Sequence, residues 1–85
     1  MFYTYVLKSE KFDETYVGQT SDLKRRFSEH NRGITPSTKR YKPWKLIYYE
    51  ACLDEVDSKR REGYFKTTQG RRALRLRLKE FFKRA

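Results

Sequence analysis

The sequence predicts an α+β fold, a three-stranded antiparallel sheet flanked by helices in the order β-β-α-β-α-α. Three observations predict it. Two tyrosine-bearing segments, Tyr3-Thr4-Tyr5 and Tyr16-Val17-Gly18, lie one short polar connection apart, as a hairpin requires. Trp44 to Cys52 is apolar on both alternating faces, the pattern of a strand covered on two sides. Near the C-terminus, Leu74, Leu78, Phe81 and Phe82 fall at i, i+4, i+7 and i+8, the stripe of an amphipathic helix.

The first strand is expected from Phe2 to Leu7, with Phe2 and Val6 on one face and Tyr3, Tyr5 and Leu7 on the other. Lys8 to Glu14 is a polar connection, and Thr15 to Gly18 returns as the second strand. Thr20 or Ser21 can N-cap a helix whose positive end suits Asp22. That helix runs to about Asn31 and ends at Gly33. Ile34 to Pro43 reads as a loop. After the Trp44–Cys52 strand, Asp54 can cap a second helix to about Lys66. Thr67 to Gly70 reads as a break, and a last helix is expected from about Arg71 to Lys83.

Eighty-five residues are expected to form a single domain spanning 1–85, with a core so limited that the 7 Tyr, 6 Phe and 1 Trp do much of the packing. The net charge is +10 and it is unevenly placed. Residues 1–33 hold 6 Lys/Arg against 5 Asp/Glu, and residues 51–66 hold 4 against 4. Residues 34–50 hold 4 against 1, and residues 67–85 hold 7 against 1. The excess therefore sits on a loop and on the last helix, which points to a polyanionic partner, nucleic acid first. Cys52 is the only cysteine, so no internal disulfide and no cysteine-rich zinc site is possible; it reads as a small core residue. With no signal peptide and no apolar run of membrane length, a cytoplasmic protein with no membrane partner is expected.

Helix geometry separates two adjacent arginines. Leu23 and Phe27 mark the buried stripe of the first helix; Arg26 lies about 60° to one side of Leu23 and His30 about 20° to that same side. Arg25, about 200° away, points to solvent. Arg26 and His30 are thus neighbours at the edge of the core-facing stripe, either as a polar site or as ordinary boundary residues. Glu62 shares a helix face with Ser58 and Phe65, where its carboxylate could take a divalent cation. Val56, Gly63 and Tyr64 define a competing apolar side, and Lys59 and Lys66 flank Glu62 at i−3 and i+4, so a surface ion pair accounts for it equally well. The segment from Thr35 through Thr38, Lys39 and Arg40 offers hydroxyls and cations suited to phosphate, or is a solvated loop. Arg71, Arg72, Arg75, Arg77 and Lys79 could hold a nucleic-acid backbone, or form the wet face of the last helix.

Taken in order, Tyr3-Thr4-Tyr5, Tyr16-Val17-Gly18-Gln19-Thr20, Leu23 with Arg26 and His30, Asn31-Arg32-Gly33, Pro43 to Tyr48, and Arg61-Glu62 with Lys66 resemble a GIY-YIG nuclease domain over nearly the whole chain. More narrowly, the likeness is to the small single-domain bacterial members of that superfamily, related to the nuclease module of the bacterial excinuclease. The spacings are 11 from Tyr5 to Tyr16, 10 from Tyr16 to Arg26 and 4 from Arg26 to His30. Tyr3, Thr4 and Val17 stand where the motif has Gly, Ile and Ile, and the late asparagine of the excinuclease module has no clear counterpart.

The resemblance implies an endonuclease that hydrolyses phosphodiester bonds in DNA (RNA is also compatible) with Mg2+ or Mn2+, in repair or recombination. It implies that Glu62 holds the cation and Arg26 steadies the phosphate. One of Tyr5 and Tyr16 would activate water, His30 would share in proton transfer, and Gly18 would let the backbone approach the site. Thr38, Lys39, Arg40, Lys66, Arg71 and Arg72 are the expected nucleic-acid contacts. Without a separate targeting domain, such a nuclease would bind weakly, form a homodimer, recognise DNA structure or rely on a partner protein. The alternative is a non-catalytic nucleic-acid-binding module using the same basic surface.

Overall fold

The computed structural model describes residues 1–85. Strands β1 (Phe2–Ser9), β2 (Thr15–Thr20) and β3 (Trp44–Cys52) form one antiparallel sheet in the order β2-β1-β3. Five helices accompany it: α1 (Leu23–Asn31), α2 (Pro36–Lys39), α3 (Glu55–Phe65), α4 (Thr68–Arg77) and α5 (Lys79–Arg84). The α+β class and the β-β-α-β-α-α order are as expected, with one short helix added and the last helix divided. No helix is long and apolar enough to cross a membrane.

Because β1 is the central strand, both of its faces are covered, and this is why it is apolar on both. Tyr5 and Leu7 pack with Trp44 on one side, joined by Leu23 and Phe27 of α1. Val6 packs with Phe65 and Leu74 on the other, the side of α3 and α4. A bulge in β3 shifts the register, so that Val6 pairs with Tyr48 while Leu7 pairs with Leu46. The extra residue, Ile47, joins Tyr48 on the α3 side, and Leu46 stays with Leu7 on the α1 side. Thr4 docks α3 directly: its hydroxyl donates to the Ser58 carbonyl at 2.8 Å.

Several boundaries differ from the sequence expectation for identifiable reasons. Asp22, rather than Thr20 or Ser21, caps α1 by accepting from the Arg25 amide at 3.1 Å; Thr20 instead accepts from the Asp22 amide and turns the chain into the helix. Asp54 caps α3 as expected. Gly33, at φ 75°, ends α1 in the left-handed region. The 34–43 loop contains α2, which starts on Pro36 and is held by its buried third residue, Thr38. Thr67 caps α4 by accepting from the Gly70 amide at 3.0 Å, so Gly70 lies inside the helix instead of breaking it. The break comes at Leu78 (φ −106°, ψ 32°), where the chain turns so that Phe82 packs beside Arg75. Cys52 is half-buried at the end of β3, not in the core, and its thiol donates to the Asp54 carbonyl.

Candidate active site

Tyr5 and Gly18 are partners across β1 and β2, and they explain each other. A Cβ at position 18 would collide with the hydroxyl end of Tyr5 and with the Tyr16 ring. The missing side chain lets the Tyr5 ring lie across β2, and Tyr5 is 1% exposed. Its hydroxyl meets His30 Nε2 at 2.8 Å, and the other ring nitrogen meets Thr38 Oγ1 at 2.7 Å. His30 is completely buried. The Thr38 hydroxyl donates onward to the Thr35 carbonyl at 3.4 Å. In the tautomer that carries its proton on Nδ1, His30 donates to Thr38 and its Nε2 accepts the Tyr5 proton. The Tyr16 ring sits against this pair, 4.9 Å from the His30 ring and 6.2 Å from the Tyr5 ring.

Arg26 borders the pair, whereas Arg25 points outward, as the helical angles require. The Arg26 guanidinium donates to Glu29 at 3.1 Å and to the Thr35 hydroxyl at 3.0 Å. Its side chain remains 30% exposed, so one edge is open to a ligand. Burial works against its charge, but the Glu29 hydrogen bond, together with Tyr5 and Tyr16, holds its proton more tightly than usual. Burial pushes the Tyr5 phenol well above its ordinary value; Tyr16 and Glu62 add to the rise and Arg26 opposes it. Glu62 belongs to the helix on the opposite face of the sheet; its one polar partner is Lys66, and it makes no hydrogen bond to Tyr5, Tyr16, Arg26 or His30. Burial, with Arg26 second, lowers His30 to about 4 against a partial opposing effect of Glu29.

The lowered His30 value carries a stability prediction. The unfolded chain binds a proton at about 6.5 and the folded one only at about 4, so the unfolded state gains protons first as pH falls. The contribution is intact above 6.5 and declines as pH drops toward 4, by roughly 3 kcal/mol in all. Urea unfolding at a series of pH values should show this loss in wild type and not in His30→Gln, which isolates it from the carboxylates.

The ambiguity over α3 is resolved by burial. Ser58 and Phe65 face inward while Val56 and Tyr64 are exposed, so Glu62 lies at the border of the inward face. Its carboxylate accepts from Lys66 at 3.0 Å and its side chain is 26% exposed. Arg61 ties α3 to the β3 edge through Glu50 at 2.9 Å. No cluster of three or more His, Cys, Asp or Glu able to hold a metal is present. One carboxylate with access to solvent fits a hard cation that takes its other ligands from water and substrate phosphate, as Mg2+ commonly does.

The expected nucleic-acid contacts divide. Lys39, Arg40, Lys66, Arg71 and Arg72 are exposed. Thr38 is 1% exposed and engaged with His30, and its carbonyl accepts from Trp44 Nε1 at 3.0 Å, so its side chain is a support beneath the site rather than a surface contact. Sequence reasoning did not single out Glu29 or Thr35 as partners of Arg26. Glu29 was findable, since i, i+3 spacing puts it beside Arg26. Thr35 was not, because only the fold of the 34–43 segment brings its hydroxyl there. Gln19 Nε2, on β2 in register with Thr4, is the one buried side-chain polar atom without a partner.

The family model described as the GIY-YIG catalytic domain matches residues 1–81. The chain belongs to the GIY-YIG family. The match takes in both tyrosine segments, α1 and α3, and the GIY-YIG domain is a nuclease fold whose substrate is DNA. A UPF0213 protein of Clostridium perfringens (strain 13 / Type A) is 34% identical over 77 residues, covering 89% of this chain and 82% of its own. A UPF0213 protein of Streptococcus pyogenes serotype M3 is 39% identical over 71 residues, covering 81% of this chain and 75% of its own. No solved structure matches at a significant level. Within this GIY-YIG domain, α1 with Arg26 and α3 with Glu62 approach from opposite faces of the sheet.

Proposed function

We propose that this protein is a divalent-metal-dependent endonuclease that hydrolyses phosphodiester bonds in DNA, with Tyr5, Tyr16, Arg26, His30 and Glu62 as its chemical centre. The observation that carries the reading is the buried Tyr5–His30 hydrogen bond beside a partly exposed, firmly charged Arg26. A surface that only binds nucleic acid has no use for a phenol–imidazole pair shielded from water.

Arg26 receives a phosphate oxygen on its open edge while Glu29 and Thr35 hold its inner edge, so the cation is oriented before substrate arrives. Tyr5 stays protonated at rest. To take a proton from the attacking water, its 1% exposed phenol must first be uncovered by substrate binding; it would then pass its own proton to His30 Nε2, 2.8 Å away. A bound phosphate offsets the charge of Arg26, one of the causes of the low His30 value, and so makes His30 a better acceptor when substrate is in place. Tyr16 walls the pair and keeps solvent from it. Glu62 would hold Mg2+ or Mn2+ after Lys66 gives up its ion pair, and the cation supplies charge neutralisation at the scissile phosphate. Gly18 is needed because any side chain there would displace Tyr5.

The test is cleavage of single-stranded, duplex and branched DNA with Mg2+ or Mn2+ and with EDTA. Cutting that EDTA abolishes is expected. DNA left uncut under every condition, yet retained in a salt-sensitive way, would replace this reading with that of a binding module.

A further inference from the structure

A concavity lies between the edge strand β2 and helices α3, α4 and α5, on the face of the sheet opposite α1. Its volume is about 380 Å³, within the range of small-ligand sites; Tyr16 at its edge turns its ring to the other face of the sheet, against His30. Phe82 gives it one partly exposed aromatic ring, Val17 and Leu74 add apolar surface, and Lys66, Arg71 and Arg75 give it cations. No carboxylate lines it. Arg71 and Arg75 form no ion pair anywhere in the protein. The Arg75 guanidinium lies 4.4 Å from the centre of the Phe82 ring, within cation–π range.

A purely apolar ligand would leave these cations without a counter-charge, and a bare anion would leave the Phe82 ring and its apolar neighbours wet. A flat ring joined to a phosphate satisfies both. We propose that this concavity seats one unstacked nucleobase of the substrate strand, with Lys66, Arg71 and Arg75 on the adjoining phosphate. The preferred substrate is then single-stranded or locally unpaired nucleic acid, since a base inside a duplex cannot enter; this rests on the nuclease reading for its setting. Lys66 is also the ion-pair partner of Glu62. A phosphate in the concavity competes for Lys66 and frees the carboxylate, so occupation of the base seat prepares Glu62 for its cation.

The experiment reads binding by fluorescence anisotropy in EDTA, apart from cleavage. The probes are a short labelled single-stranded oligodeoxynucleotide, its duplex, and the same strand with an abasic residue at each position in turn. One abasic position should weaken binding to wild type about tenfold, in line with base–aromatic stacking. Phe82→Leu, which keeps an apolar side chain without a π face, should bind abasic and intact strands alike; circular dichroism checks its fold. Arg75→Gln should lessen the salt slope by about 0.7. Abasic strands that bind as tightly as the intact one, or duplex that binds as tightly as single strand, would overturn the proposal. Base-dependent binding without cutting under any metal leaves the base seat standing and removes the nuclease reading. Cutting without base dependence removes the base seat alone.

Discussion

Arg26→Ala and Glu62→Ala are each expected to lower DNA cleavage about a thousandfold while the protein stays folded. Arg26 is the one guanidinium beside Tyr5 that keeps an open edge, and nothing near it can take over its charge: Arg25 projects to solvent on the same helix. Arg26→Lys should recover little. A point charge cannot bond Glu29 and Thr35 together while also presenting a planar edge to phosphate. Stability should move by only about 1 kcal/mol in either alanine variant, because the ion pairs of both residues are partly exposed and Arg26 adds one part-buried bond to Thr35. Single-turnover cleavage with parallel urea unfolding separates the two effects. Variants that cut as fast as wild type would show that the chemistry lies elsewhere.

Gly70→Ala should destabilise the fold by about 3 kcal/mol. A Cβ at this buried glycine would overlap the Tyr64 carbonyl and press on the Phe65 backbone, so α4 could not approach the end of α3. Neither obstacle is a side chain able to swing aside. A thermal midpoint lowered by about 15 °C is the expected readout for a domain of this size. Gly63→Ala is the control. It lies within α3, where its Cβ would meet nothing within 4 Å, so the substitution should stabilise the helix by about 0.5–1 kcal/mol. Equal effects of the two substitutions would show that helix propensity rather than close packing sets the role of Gly70.

What could be read from the sequence followed from local periodicity. Runs apolar on both faces located β1 and β3, the short polar connection placed β2 as a hairpin partner, and the 100° step of a helix told Arg26 from Arg25 and put His30 beside it. The Asp54 cap and the Gly33 terminus were legible for the same reason, since each acts within a few residues. What could not be read depends on distant partners. Thr38 looked like a surface hydroxyl because its burial comes from His30, eight positions earlier, and Trp44, six positions later. Gly70 looked like a helix breaker because the backbone that excludes its Cβ belongs to another helix. The turn at Leu78 interrupts an unbroken helical stripe, and only the packing of Phe82 beside Arg75 accounts for it. Glu62 was ambiguous until burial showed which side of α3 faces the sheet.

Consecutive residues of the central strand reach into opposite layers: Thr4 fastens the helix that carries Glu62, and Tyr5 bonds to the histidine of α1. The two halves of the proposed site therefore have no route to each other except through a completed sheet. A nascent, nicked or thermally loosened chain would hold at most one half. Cutting competence would then vanish with the fold itself, and for a small protein that attacks DNA this is a safeguard: damaged copies would become inert before they could become indiscriminate.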